Sequence, residues 1–524
     1  MKKLKYIAIA LLSGALTFSG CSDSFLDREP TDSLPETTVV KDVESLNTIL
    51  EGVHCMIYAY WHGYQDLSRG LPALNVLTDL LSDDFVNTKP AFYMGFHRWT
   101  DAINPYGTMP YRYWDCYYTL IQHLNTIIAR SSELKDVDQT MLNDIVGQAY
   151  TLRALCYSRL IQLYAHRYDS ATNATNLGVV LRTEPGFEVL PRATVAEVYE
   201  QIDKDIKQGL SMLNEGLVNR KDKNEVNIEV AYGIAARIAL SEYKYDKAEE
   251  FASKAIEISL KKGRKLQSGK NLADGFNNLD ATEWIWGYRA NSLQDYGYSS
   301  FWNAFSYNFD TGFNRGFIFA INRGLFDKMG EKDARRAWWV CTDLGDTFPE
   351  DFCPGMFGRE NTGHGIKFKS QAAKKAAGDY IMMRMGEMYY IKSEAQAQQG
   401  KIAEAVATLN EVMITRDPDY SYSGTDKDEV IDEIMRNKRL DMWMEGEAFF
   451  DMKRQCRIPN FESVKNFDYI TNPIDSDSAI KRNSHSGNMS SVPTSAESIH
   501  WQFAIPYDEI KASEGKIVQN PLAE

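Results

Sequence analysis

Two stretches of this 524-residue chain place flat aromatic rings beside amide, carboxylate and guanidinium groups. One runs from Phe92 to Tyr106 and holds Tyr93, Trp99, Asp101 and Asn104. The other spans 291–323 and holds Asn291, Tyr296, Tyr298, Trp302 and Arg323, among further phenylalanines. A sugar ring offers apolar C–H faces and a rim of hydroxyls, and these residue types answer both: rings stack, polar side chains hydrogen-bond. A sugar face covering ~50 Å² contributes ~1.2 kcal/mol. Three such platforms give roughly 4 kcal/mol before ordering losses, near millimolar affinity. Weak capture of single short chains is therefore expected, with multivalent substrates held better. Packing of the loop onto neighbouring helices is the competing role for each ring. Trp284 and Trp286 alternate along Glu283–Tyr288 and are expected to be core residues of a short strand.

Cys21 is a second chemical feature. Lys2, Lys3 and Lys5 precede an uncharged run, Tyr6–Phe18, which is too short to span a bilayer but suits a signal peptide. Ser19-Gly20-Cys21 then fits a lipoprotein signal, with the Cys21 thiol alkylated by a diacylglyceryl group and the chain cut before it. An ordinary secretory peptide is the alternative. Several acyl chains on one cysteine anchor stably where one does not. The acidic segment after it, with Asp23, Asp27, Glu29 and Asp32 among prolines, reads as a solvated tether and export label.

Other chemistry is poorly served. HExxH, GxSxG and P-loop patterns are missing from the sequence, and no CxxC occurs. The net charge of −14 disfavours nucleic acid. Cys55, Cys116 and Cys156 lie in apolar-periodic stretches and are expected to be buried thiols. Cys341 and Cys353 are candidates to pair across a loop in an oxidising compartment. His364 is expected on a solvated loop, and Asp475-Ser-Asp477 is only a fragment of a calcium loop.

The elements that position these residues are mostly helical. Apolar spacing predicts helices over 146–164 and 195–210, the second capped by Thr194 with Glu197. Tyr232–Ala255 and Tyr380–Val412 read as helix-turn-helix units with small residues at close-approach positions, the tetratricopeptide pattern of about 34 residues. The 146–164 and 195–210 helices form a third pair split by an insertion, and a fourth includes 112–130. Residues 263–380 and 456–500 break this pattern as long insertions. Such loops are usually functional or disordered, and their aromatic density speaks for the first.

The order of motifs resembles the SusD/RagB family nearly end to end. Trp114, Tyr118, Ile121 and Asn125 match its Trp-x3-Tyr-x2-Ile-x3-Asn helix, and Leu152-Arg153-Ala154 with Tyr157 its Arg-Ala helix. Gly178–Arg182 and Pro191–Val195, then Met383-Arg384 with Glu387, Glu445-Gly446 with Asp451, and Gln519-Asn520-Pro521 follow in register. Ala448 departs from the pattern, which has an arginine there. The resemblance implies a mostly α fold: about four tetratricopeptide-like helix pairs forming a scaffold, and a loop-rich irregular half carrying the ligand site. It implies a signal peptide at 1–20, a lipid anchor and tether at 21–40, and one SusD-like domain at 41–524. It further implies a surface-exposed outer-membrane lipoprotein that captures oligosaccharides for a SusC-like TonB-dependent transporter, with no catalysis and no cofactor. A RagB-like peptide binder and a tetratricopeptide scaffold without a small-molecule site are the alternatives.

Overall fold

The computed structural model describes residues 40–60, 69–87, 94–213, 222–290, 300–309, 319–353, 362–372, 375–459 and 491–522. Among these, fifteen α-helices and eight short strands make a mostly helical protein. Helices α1 (Val43–Ala59) and α2 (Gly70–Asp79) precede strand β1 (Phe85–Asn87), the short α3 (Met94–His97) and the long α4 (Thr108–Ser131) and α5 (Gln139–Tyr164). The hairpin of β2 (Leu177–Val180) and β3 (Arg192–Thr194) leads into α6 (Val195–Met212), α7 (Ile228–Ser241) and α8 (Tyr245–Lys261). A loop-rich part follows, with β4 (Trp284–Tyr288), α9 (Phe301–Phe305), β5 (Phe319–Ile321), α10 (Arg323–Phe326), β6 (Trp339–Val340), β7 (His364–Gly365) and β8 (Tyr380–Arg384). Helices resume as α11 (Met385–Gln398), α12 (Ile402–Met413), α13 (Lys427–Asp441) and α14 (Ala448–Arg454), with α15 (Tyr507–Ala512) in the C-terminal segment.

The helices pack as pairs: α1 on α4, α5 on α6, α7 on α8 and α11 on α12. Contacts of α4 with α5, of α5 and α6 with α7, and of α8 with α11 join the pairs into one stack. The fourth pair is α1 with α4, a partnership that spans the whole 60–107 segment. Local chemistry explains the boundaries. Thr194 Oγ1 accepts from Glu197 N at 3.2 Å and the Glu197 carboxylate accepts from Thr194 N at 2.8 Å, the expected capping box. Ala235, Ala236 and Ala239 on α7 and Ala248, Ala252 and Ala255 on α8 are all buried, so only methyl groups separate much of that interface. Gly400 turns α11 into α12 at φ +78°, a conformation that side chains disfavour.

In the loop-rich part β4 pairs antiparallel with β8, Trp284 standing opposite Arg384. All five β4 residues are buried, so both faces of the ladder are covered and Trp284 and Trp286 are core residues. A four-stranded sheet of order β1-β5-β7-β6 completes it. A buried ion cluster ties the two parts together. Arg384 bonds Glu283, Asp441 and Glu445 at 2.9–3.0 Å, Arg416 bonds Glu283 and Asp441, and Lys367 bonds Glu445.

Some sequence expectations are corrected here. Cys55 is exposed, because the buried stripe of α1 runs through Leu50, Val53, His54 and Ile57 and leaves it outside. Cys341 and Cys353 are not joined by a disulfide: Cys341 is buried, and the Cys353 thiol is directed to Asp351 O at 3.9 Å. His364 is buried in β7, beside the Phe352 ring. Ala448 is accommodated without an arginine. Its N–H and that of Gly446 donate to the Asp79 carboxyl at 3.0 and 2.8 Å, and burial pushes that carboxyl well above its usual range. Charge contacts at this element come instead from Arg159 and Arg237, which reach Glu447 at 2.5 and 3.6 Å.

Candidate functional site

The loop regions expected to hold ligand lie only partly within the described residues. Tyr93, Asn291, Tyr296 and Tyr298 fall outside them, as do Cys21 and Asp475–Asp477. The framework holds two described loop ends together, Asn87 pairing with Phe319 between β1 and β5.

The remaining expected residues have structural duties. Trp99 is fully buried at φ +63°, its indole N–H donating to Leu81 O at 3.0 Å and its ring packed on Trp501 and Phe449. Trp302 is equally buried, donating to Gly378 O at 2.7 Å and packed against Tyr380 and Phe368. Neither ring offers a face to a ligand in this conformation, and the two belong to different aromatic clusters. Asp101 accepts from Thr108 N and Met109 N at 3.3 and 2.8 Å, capping α4. Arg323 is held between Asp327 and Asp343 at 2.5 and 2.6 Å. Asn104 is exposed in a turn, where its side-chain oxygen accepts from Tyr106 N at 3.0 Å.

That turn presents an aromatic after all. Tyr106 is 71 % exposed and packs on Tyr507 of α15, ring centroids 4.7 Å apart. The Tyr507 N–H donates to Pro105 O, so the turn and α15 are joined through their backbones. Beside them opens a cleft of about 460 Å³, within the ~300–1,000 Å³ of small-molecule sites. Its floor is one stripe of α4: Trp114, Asp115, Tyr118, Thr119, Gln122 and His123. One wall is the strap that follows β2, with Arg182 and Gly186–Leu190, and the other is Glu509, Ala512 and Ser513.

The strap is fixed from below by buried polar groups. Asn125 Nδ2 donates to the carbonyls of Arg182 and Glu184 at 3.1 and 3.2 Å. Arg153 donates to Asn125 Oδ1 at 2.8 Å and Thr183 O at 3.0 Å, and is itself held by Asp205. Tyr118 OH donates to Val180 O at 2.7 Å, and Lys516 reaches across to Val189 O at 3.1 Å. Burial pushes the Glu509 carboxyl above its ordinary range, although the Trp114 indole bonds to it. At the strap's tip Phe187 is 91 % exposed. The arrangement can stack a flat apolar face on Phe187 and Tyr118 and hydrogen-bond a polar rim. Trp114, Tyr118, Asn125, Arg153, Tyr157 and Arg182 were legible as motif residues. Glu509 also lies in the family-like tail motif, whereas Phe187 and Asp115 belong to no motif, and the Pro185-Gly186-Phe187 turn is the one local signal that an apolar ring sits at a loop tip.

Comparison with known proteins bears on both halves of the chain. Residues 24–240 match the family model SusD-like_3, described as starch-binding associating with outer membrane, and residues 358–522 match the SusD family model. The chain belongs to the SusD/RagB family. A SusD-like protein P2 of Formosa agariphila is 21 % identical over 484 residues, covering 87 % of this chain and 91 % of the relative. A SusD-like carbohydrate binding protein of Bacteroides vulgatus shares the fold with a TM-score of 0.69 at 21 % identity, over 80 % of this chain and 85 % of that one. A laminarin binding SusD-like protein does so at 0.65 and 18 %, over 92 % of this chain and all (100 %) of that one. SusD family proteins are associated with the outer membrane. The tetratricopeptide-like stack and the loop-rich insertions seen here are thus a SusD fold.

Proposed function

We propose that this protein is a cell-surface lipoprotein that captures oligosaccharides and delivers them to a SusC-like TonB-dependent transporter. The observation that carries the reading is the match of residues 24–240 to a family described as starch-binding at the outer membrane. The fold supports it: exposed aromatic rings stand beside hydrogen-bonding groups on a rigid helical frame, an arrangement for holding sugar faces without cutting them. The lipid on Cys21 and the segment 22–35 act as anchor and leash, and the stretches 92–106 and 291–323 carry ligand-binding residues. Binding is non-catalytic. Affinity electrophoresis tests this. In gels containing soluble polysaccharides, at least one neutral or acidic glycan retards the protein. Unretarded migration in every gel, together with binding of mixed peptides, would establish the peptide-importing alternative.

A further inference from the structure

The cleft between α4, the strap and α15 is built in a way its packing does not require. Asn125 and Arg153, both buried, spend their hydrogen bonds on strap carbonyls, so the strap is held in place before any ligand arrives. At the tip of this fixed strap a phenylalanine is left 91 % exposed. A lone exposed apolar residue is ordinary. A lone ring held at the mouth of a 460 Å³ hollow, opposite Tyr118 and among Asp115, Gln122 and Glu509, is a stacking platform with hydrogen-bonding groups beside it. The shape is concave, as for a small ligand, where a protein partner needs a broad flat patch.

We propose that this cleft is a second saccharide site, lined by none of the residues of the 92–106 and 291–323 stretches, which takes the end of an uncharged glycan chain. The assignment of a sugar rests on the glycan-binding reading above. The charge preference comes from the lining, where Asp115, Glu188 and Glu509 face the single guanidinium of Arg182. That guanidinium already donates to Glu188 O. Lys516, whose ammonium reaches Val189 O of the strap, adds one more cation at the rim. A uronate or sulfated chain would meet more carboxylates than cations, while hydroxyls find both acceptors and donors.

Titration calorimetry on the full chain in detergent micelles tests this. The probes are neutral hexose and pentose oligosaccharides and uronate oligomers of matched length, with wild type, Phe187→Ala and Glu188→Lys compared. Both positions are exposed, so thermal unfolding should be unchanged. Losing one sugar face of ~50 Å² should weaken a neutral-glycan binding component about eightfold in Phe187→Ala, leaving any loop-site component intact. Glu188→Lys should improve uronate binding by up to about fivefold at low salt. Neutral-glycan isotherms unchanged by Phe187→Ala would overturn the second site while leaving the glycan-binding function standing. So would loss of transporter association alone, which would make Phe187 a protein contact. Wild type that binds only uronates would overturn the charge preference, and wild type that binds no saccharide would remove both readings at once.

Discussion

Replacing Arg384 by methionine should loosen the joint between the helical stack and the loop-rich part. The Arg384 side chain is about 1 % exposed. Its guanidinium meets Glu283 at 2.9 Å, Asp441 at 3.0 Å and Glu445 at 2.9 Å, and donates to Asp441 O at 2.5 Å. Those acceptors come from the start of β4, the end of α13 and the loop before α14. Removing one partner of a buried pair typically costs about 3–5 kcal/mol, because the other charge stays desolvated. Arg416 still covers Glu283 and Asp441, and Lys367 still covers Glu445. The loss should therefore fall at the low end, about 3 kcal/mol. Guanidinium unfolding followed by tryptophan fluorescence reads this well, since Trp284, Trp286, Trp338 and Trp443 lie in the same loop-rich core. Adding Glu445→Gln to Arg384→Met should recover part of the loss, a coupling of about 1 kcal/mol or more. A single-variant loss below about 1 kcal/mol, with no coupling, would refute the idea that this cluster ties the halves together.

Other perturbations separate structural from binding roles. Asp101→Ala removes the cap on α4 and should lower stability by about 1 kcal/mol while changing glycan affinity less than about twofold; an affinity loss without a stability loss would return Asp101 to the ligand. Burial pulls the Lys367 ammonium down to about 8, against about 10.4 in the unfolded chain. Between those values the folded protein holds fewer protons than the unfolded one. The contribution of Lys367 to stability is thus complete above the upper value and lost as pH falls through the lower. The stability of wild type relative to Lys367→Met should rise from pH 8 to pH 10, and a flat difference in melts would show that this lysine does not titrate there. Cys21→Ala should move the protein from the membrane to the soluble fraction and reduce uptake, with affinity in solution unchanged.

The helical half was legible because its signals are local and periodic. Thr194 with Glu197, and the alanines of α7 and α8, state their roles within a few residues. The pairing of α1 with α4 was harder, since nothing local says that helices separated by the 60–107 segment meet. Which residues of the expected ligand stretches face outward was not legible. Within 92–106 the sequence favours Trp99 as a platform, yet the fold turns Trp99 inward onto Leu81 and Trp501 and leaves Tyr106 outside. Which ring of a loop faces solvent depends on partners hundreds of positions away, and aromatic composition does not encode that choice. Phe187 is illegible for the converse reason: one phenylalanine in a short strap has no period, and its meaning comes from the α4 stripe beneath it. The exposure of Cys55 is encoded in spacing, since the stripe Leu46, Leu50, Val53 and Ile57 already excludes it from the buried face of α1.

The central claim is glycan capture without catalysis, and one calorimetric series tests it most directly. The full chain, solubilised in detergent, is titrated with length-matched oligosaccharides and with a peptide mixture, and the injected sugars are then recovered and sized. Saturable heat is expected from at least one oligosaccharide, at affinities near millimolar for short chains and tighter for longer ones, with every recovered chain at its starting length. Heat from peptides alone, or oligosaccharides recovered shorter than they were injected, would contradict it.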